Sequence, residues 1–297
     1  MRFYIVTPAY NSLSWLQRCV RSVADQVMEG VEIHHHVQDG GSTDGTGEWL
    51  QKWLDEHADV AGYAFTYESA RDKGMYDALN IAWSKMPETT DVTAHLNSDE
   101  QYLPRALRGV AEFFKKRPEA DVLATSYIIH DAAGRYICHR RSVRPHKLRC
   151  DVMCEMNTCT CFHRAEPFCR HGIRFDTRYR SIADMVMYRD MMRYGVRVHA
   201  CPELMTSSFA ITGSNLAWSD ITASEHAMAD EDASRFLLRF RRELIILSNI
   251  LRRLNDWKCK TPREYDIYLG TDMERTHKLI KHPTAKWAGR MAAEDEE

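Results

Sequence analysis

The sequence predicts an α/β fold in which a Rossmann-like, mostly parallel sheet is flanked by helices. Three observations carry that expectation. β-rich runs and amphipathic helical patterns alternate through roughly the first 130 residues, the order in which crossover helices join parallel strands. Polar, turn-forming clusters follow three of the runs, at the carboxyl ends where such sheets bind ligands. The chain of 297 residues, 44% apolar and 28% charged, is long enough to bury a core without disulfides or a structural metal.

The elements follow in order. Phe3 to Thr7 (FYIVT) is a β-rich run stopped by Pro8, the pattern of a buried strand. Leu13, Leu16, Val20 and Val23 recur every three or four residues, so a helix spans Asn11 to Gln26 with Asn11 or Ser12 as its N-cap. Val31 to Gln38 (VEIHHHVQ) reads as a second strand. Its successive residues face opposite sides, so His34, His35 and His36 read as strand residues rather than a metal site. The turn residues Asp39 to Thr46 (DGGSTDGT) lead into a helix reaching Glu56. Ala64 to Glu68 is a third strand, Met75 to Lys85 a helix, and Asp91 to Leu96 a fourth strand ending in Asn97-Ser98-Asp99-Glu100. Leu103 to Lys116 reads as a helix and Val122 to His130 as another strand. Regularity weakens over 131–215, where Ile182 to Tyr194 is the clear helix. The longest helical pattern covers 230–256: Leu237, Phe240, Leu244, Leu247, Leu251 and Leu254 are spaced 3, 4, 3, 4, 3, a heptad seam.

Composition narrows the function. Lys and Arg total 40 against 42 Asp and Glu, so the positive excess of a general nucleic-acid binder is missing and no nucleic-acid partner is expected. No apolar stretch approaches the ~18 residues of a membrane span, and Thr7 and Pro8 break the N-terminal run too early for a signal-peptide core. The expected location is therefore cytoplasmic. Nine cysteines, an odd number, then read as reduced thiols. Five of them, Cys150, Cys154, Cys159, Cys161 and Cys169, crowd one stretch with no common zinc spacing.

Three clusters carry chemistry. A carboxylate in Asn97-Ser98-Asp99-Glu100 suits Mg²⁺ or Mn²⁺, hard ions that bridge phosphates, although a turn and N-cap explain the same residues. The glycines of Asp39 to Thr46 allow close ligand approach. Arg71 to Asn80 (RDKGMYDALN) crowds charges around a glycine before a helix, a phosphate-facing N-terminus.

Taken together, TPAYN, QDGGSTDGT, DKGMYDALN and LNSDE, in that order and spacing, resemble the family 2 glycosyltransferases of GT-A fold, over roughly residues 1 to 215. The resemblance implies a nucleotide-sugar-binding half over 1–130, an acceptor-binding and catalytic-base half of the same domain over 131–220, and a C-terminal helical extension over 221–297. It places Thr7, Ala9 and Tyr10 in the nucleoside pocket and gives Asp39 the hydrogen bond from the base, commonly uracil N3. It assigns Asp72, Lys73 and Asn80 to the ribose, phosphates and donor sugar. Asn97, Ser98 and Asp99 occupy the DXD position, with Asp99 the metal ligand and Asn97 in place of the first Asp. FDTRYRSIADMVMYRDMMRYG is similar to the segment that carries the base, which makes Asp184 that base. Its rival Asp190 lies six residues on, a rotation of ~600° that turns it to another helix face. Many relatives carry a His where Asn157 stands here. PELMTSSFAITGSNL resembles the late strand and the small-residue loop that follows it.

The resemblance implies a metal-dependent, inverting transfer from a nucleotide-sugar, a UDP-sugar first, to a saccharide or lipid-linked acceptor, in polysaccharide biosynthesis. A nucleotidyltransferase is the rival enzyme, and a non-catalytic sugar-nucleotide-binding or scaffold protein the rival from another class. The former relies on a glycine- and lysine/arginine-rich loop where this chain has TPAYN; the latter has no need of Asp39, Asp99 and Asp184 together. For helix 235–257, leucine-seamed and arginine-rich, three readings stand in order: packing back on the domain, a homodimer through the seam, and peripheral contact with an anionic membrane at its inner face. Arg140, Arg141 and Arg144 form a further basic cluster, solvated by default, with contact to an acidic acceptor or a diphosphate as the functional reading.

Overall fold

A computed structural model of the chain describes residues 1–212, 220–270 and 274–286. Strands and helices alternate as expected at the start: β1 (Arg2–Ala9), α1 (Leu13–Ala24), β2 (Glu32–Asp39), α2 (Thr46–His57), β3 (Tyr63–Ser69), α3 (Met75–Ser84) and β4 (Val92–His95). There follow β5 (Glu100–Tyr102), α4 (Ala106–Lys116), β6 (Val122–Asp131), β7 (Tyr136–Arg140), α5 (Lys147–Cys150), β8 (Cys161–Arg164), α6 (Ala165–Arg170), α7 (Ala183–Arg193) and β9 (Val198–Ile211). The extension comprises α8 (Asp220–Glu231), α9 (Arg235–Arg239), α10 (Arg241–Lys258) and a hairpin of β10 (Glu264–Ile267) with β11 (Thr276–Leu279). The late-strand loop at Gly213 to Leu216 and the acidic tail from Met291 lie outside the described residues.

One sheet runs β3-β2-β1-β4-β8-β6-β9-β5, with β7 also on β6. β1 to β4 are mutually parallel, β6 and β9 are parallel to each other, and β8, β5 and β7 pair antiparallel to their neighbours. Only residues 96–99 separate β4 from β5, yet three strands lie between them on the hydrogen-bonded path. A flat sheet of that width would need ~19 Å at ~4.8 Å per strand, more than the ~17 Å that five extended residues span, so the sheet curls. The turn at Asn97 to Asp99 sits in that curl.

Both faces of the sheet are covered, which is why β1 is buried from Phe3 to Ala9. Phe3 and Ile5 of β1 face a core built with Leu16, Val20, Leu50 and Phe114 of α1, α2 and α4. Tyr4 and Val6 face the opposite core, with Leu79 and Trp83 of α3 and Met187 and Met191 of α7. All nine cysteines are free thiols and six are buried. His35 and His36 pack inside, bonded to Tyr63 and Thr66, and burial lowers the pKa of His35 to about 3.

The extension corrects the expected packing of the leucine seam. The helix breaks at Phe240, and Phe240, Leu247 and Leu254 of the seam stay 46%, 43% and 46% exposed. The polar side of α10 turns inward instead. Ser248 is buried, Asn255 Nδ2 donates to the Ser142 carbonyl at 2.8 Å, and Asp256 meets His139 at 2.5 Å. The surface beneath α10 is made of backbone carbonyls and buried charges, so it selects the hydrogen-bonding face.

Candidate active site

The carboxyl ends of β1, β2 and β4 open into a cavity of about 830 Å³. Its first wall is knitted from two loops. The Gly40 N–H donates to the Ala9 carbonyl at 2.8 Å, the Asn11 N–H to Ser42 Oγ at 2.7 Å, and the Thr43 N–H to Asn11 Oδ1 at 2.8 Å. Asp44 Oδ2 takes the Leu13 N–H at 3.0 Å and so caps α1, a task expected of Asn11 or Ser12. A Cβ on Gly40 would stand 2.9 Å from Asp72 Oδ2 and 3.3 Å from the Tyr10 ring, so glycine is what lets three segments meet here.

Ala9, Tyr10 and Asp72 line the cavity; Tyr10 is 66% exposed at its mouth. Asp72 accepts the Gly74 N–H at 2.8 Å just ahead of α3, and burial raises its pKa. Asp39 is buried just behind the Gly40 wall. It accepts from Ser69 Oγ at 2.5 Å and from the Ser42 N–H at 3.1 Å, which fixes the carboxylate without a cationic partner among the described residues. The remaining three residues of this group stand outside the lining. Thr7 is buried and bonded to His35 Nε2 at 2.9 Å. Lys73 is exposed, and the Asn80 side chain is engaged by the backbone of Phe175.

Asn97, Ser98 and Asp99 form the floor, where β4 turns toward β5. Glu100 is buried, accepts the Asn97 N–H at 2.7 Å, and is pushed well above the carboxylate range by burial and by neighbouring Asp99. Glu100 therefore tightens the turn, and Asp99, the carboxylate of this turn nearest the β4 end, lines the cavity floor. Asn97 Oδ1 is buried without a hydrogen-bond partner among the described residues, an acceptor-ready oxygen at the floor.

Asp184 enters from the first turn of α7. Its Oδ1 accepts the Met185 N–H at 2.8 Å, and burial pushes its pKa up to about 6. Cys154 Sγ stands 3.9 Å from its other oxygen. Asp190 is absent from the lining and sits beside Arg189 and Arg193. Asn157 lines the cavity while its side chain accepts the Cys159 N–H at 3.3 Å.

The far wall holds residues the sequence reading did not assign: Tyr127, Met156, Arg180 and Arg252. Arg252 reaches in from α10, across 111 residues to the Arg141 carbonyl. Of the basic cluster, Arg140 lines the cavity, Arg141 is buried against Asp256, and Arg144 is exposed elsewhere. Among the described residues no group of three or more His, Cys, Asp or Glu is placed to hold a metal by itself. None of their helices is long and apolar enough to cross a membrane.

A family model described as glycosyl transferase family 2 matches residues 4–184. No curated protein matches the sequence. Among solved structures, S. aureus TarS 1-349 in complex with UDP-GlcNAc is similar at 16% identity and a TM-score of 0.60, over 86% of this chain and 75% of that one. The mannosyltransferase PcManGT from Pyrobaculum calidifontis, in complex with GDP-Man and Mn²⁺, is similar at 18% identity and a TM-score of 0.59, over 86% of this chain and 71% of that one. At these identities the likeness establishes the fold, the GT-A arrangement of a curled, mostly parallel sheet.

Proposed function

The chain belongs to glycosyl transferase family 2, and on that premise we propose that this glycosyltransferase moves a sugar from a UDP-sugar to a hydroxyl of a saccharide or lipid-linked acceptor, with inversion. The observation that carries the reading is Asp184, a carboxylate buried to a pKa of about 6 in the same cavity as Asp99. Above that pH it is ionised and still basic enough to take the proton of an acceptor hydroxyl. The freed oxygen attacks the anomeric carbon as the bond to the nucleoside diphosphate breaks. One displacement from the opposite face inverts that centre.

Ala9 and Tyr10, with Asp39 behind them, receive the nucleoside; Asp72 and Asn97 face the ribose and donor sugar. UDP is placed first because Asp39 suits an N–H of the base. TarS was solved with UDP-GlcNAc and PcManGT with GDP-Man, so a GDP-sugar is the neighbouring choice. The floor fits a divalent cation. One carboxylate, Asp99, beside the unpartnered Asn97 Oδ1 suits Mn²⁺ or Mg²⁺ completed by substrate phosphates rather than a cage of protein ligands. When bound there, such a cation offsets the charge on the departing diphosphate.

The exposed side of α9 and α10 carries Phe236, Ile246, Ile250, Leu254 and Trp257 among Arg235, Arg239, Arg242, Arg253 and Lys258. Apolar residues rimmed by cations suit an anionic lipid surface, consistent with a lipid-linked acceptor in polysaccharide synthesis at the inner face of a membrane. The same charges would face their copies in a homodimer through this seam, which places the dimer second.

Thermal unfolding with UDP, GDP and CDP, each with and without Mn²⁺, tests the donor reading, because a ligand of the native state raises the melting temperature. UDP with Mn²⁺ is expected to give the largest shift, and Asp99→Ala to remove its metal-dependent part. No shift with any nucleotide would overturn the proposal.

A further inference from the structure

We propose that Arg140 and Arg252 form a subsite for an oxyanion, a carboxylate or a phosphate, carried by the acceptor. The inference deepens the transferase reading of the same cavity and rests on it.

The edge of β6 is shared by two strands. β8 pairs with Val122 to Ala124, and β7 pairs from Tyr127 onward, which leaves a notch at Thr125 and Ser126. Arg140 ends β7 opposite Tyr127, at the mouth of that notch. Among the described residues its side chain has neither a hydrogen bond nor an ion pair, and it lines the cavity. Arg252 comes to the same wall from α10. Its Nη1 and Nη2 donate to the carbonyls of Arg141 and Glu155 at 2.9 and 2.8 Å, which hold the guanidinium in place and leave its charge unmatched. The Glu155 carboxylate is taken by Arg149 Nε at 2.6 Å and Ser248 Oγ at 3.0 Å.

Arg141, Arg149 and Arg189, all buried, give the contrast to the half-buried Arg252. Arg141 pairs with Asp256, Arg149 with Glu155, and Arg189 with Asp190 and Asp232. Arg252 has no such carboxylate within ion-pair distance among the described residues, and Arg140 adds a second positive charge beside it. Burial and Arg140 both work against the Arg252 charge. Two like charges side by side on one half-buried wall repel until an anion arrives between them. Guanidinium forks favour oxyanions, which they bind through paired N–H bonds.

The anion belongs to the acceptor by position. β6 lies three strands from β1 in the sheet, about 14 Å at strand spacing, so this wall faces the nucleoside wall rather than forming part of it. Asp184 stands on the acceptor side of the same cavity. A uronic acid or a sugar phosphate would be held by the arginines while its hydroxyl meets the base.

The test uses the full chain and thermal unfolding at constant ionic strength. The probes are D-glucuronate, inorganic phosphate and neutral D-glucose, each to ~50 mM, and separately UDP with Mn²⁺. Glucuronate or phosphate is expected to stabilise the wild type saturably, and glucose not. Arg140→Gln is expected to weaken that anion binding about tenfold, the loss of one charge-assisted contact, and Arg140→Lys to restore part of it. The UDP shift should be the same in all three proteins. No saturable anion shift in the wild type overturns the proposal, as does an equal shift in Arg140→Gln. Loss of the UDP shift together with the anion shift in Arg140→Gln assigns the pair to the donor diphosphate and overturns it too. Absence of a UDP shift in the wild type counts against the donor reading alone, and so separates the two failures.

Discussion

The Asn80 side chain closes a two-bond bracket on Phe175: Oδ1 accepts the Phe175 N–H at 2.9 Å and Nδ2 donates to the Phe175 carbonyl at 2.8 Å. The bracket fastens α3, which begins just after Asp72, to the segment that leads into α7 and Asp184. Phe175 in turn stacks on Trp83 of α3, with ring centroids 5.2 Å apart. Asn80 therefore ties α3 to the segment before α7, and it stands outside the cavity lining.

Asn80→Ala leaves both backbone groups of Phe175 unpaired in a half-buried place. The expected loss is about 1–3 kcal/mol, read as a lower urea midpoint at unchanged slope. Asn80→Asp keeps the acceptor and loses the donor, so its midpoint should fall between the two.

With Asp184 as the proposed base, Asp184→Asn is expected to lower turnover with the cognate donor and acceptor at least 100-fold. The same change should stabilise the fold. The folded-state pKa, about 6, lies above the unfolded value of 3.8, so folding is penalised where an unfolded Asp is ionised. That penalty begins above pH 3.8 and is complete above pH 6, at about 3 kcal/mol. The variant should therefore melt higher than wild type at pH 7.5 and match it near pH 3.5. In the wild type, turnover should rise with pH through about 6 and then level.

Acid should unfold the protein early. His35, His95 and His163 are buried with pKa values lowered to about 3, while an unfolded His titrates at 6.5. Each contributes stability that is present above 6.5 and lost as the pH falls from there toward 3, at about 1.4 kcal/mol per pH unit. Asp184 and Glu100, raised by burial, act in the opposite sense over part of the range. Three histidines outweigh two acids, so the melting temperature should fall steadily between pH 6 and 4.5. His163→Phe, which replaces an imidazole lacking partners among the described residues, should lower that slope by about 1.4 kcal/mol per pH unit, most of what is left once the two acids are subtracted.

Trp257→Ser should leave the unfolding free energy within about 0.5 kcal/mol of wild type, because the ring is 83% exposed. Binding to vesicles of anionic phospholipid, measured by co-sedimentation, should drop several-fold, and more at high salt. Binding unchanged by the substitution, alongside a dimer at sizing concentrations that it dissociates, would move the face from lipid to a second copy.

Much of the fold is legible because its signals are local. β1 reads from five consecutive buried residues before a proline, and α1 from a three-and-four spacing that matches its buried Leu16, Val20 and Val23. β5 is hidden because Glu100 to Tyr102 becomes a strand only through pairing with Ser207 to Phe209, more than a hundred residues away. α10 shows the limit of periodicity. An apolar face is visible in the sequence, but the side that turns inward is chosen by Ser142, Glu155 and His139, which no local pattern connects to it. The site divides the same way. Asp99 and Asp184 stand in recognisable strings and line the cavity, whereas Arg252 is one arginine among many in its helix. Thr7 and Asn80 lie in such strings too, but packing claims them.

Gln101 follows directly on Asp99 and Glu100, and it is clamped from the far end of the chain. Its Nε2 donates to the Tyr268 carbonyl at 2.9 Å and its Oε1 accepts the Tyr268 N–H at 2.7 Å, both buried, across 167 residues. Arg252 reaches the cavity from the same extension. During synthesis, the wall at Ala9, Gly40 and Asp72 leaves the ribosome long before these two residues do. A nascent chain would hold that first wall while the floor and far wall are still unfinished, and the cavity would be complete only after Tyr268 emerges. The order of translation thus leaves the last part of the cavity to the extension.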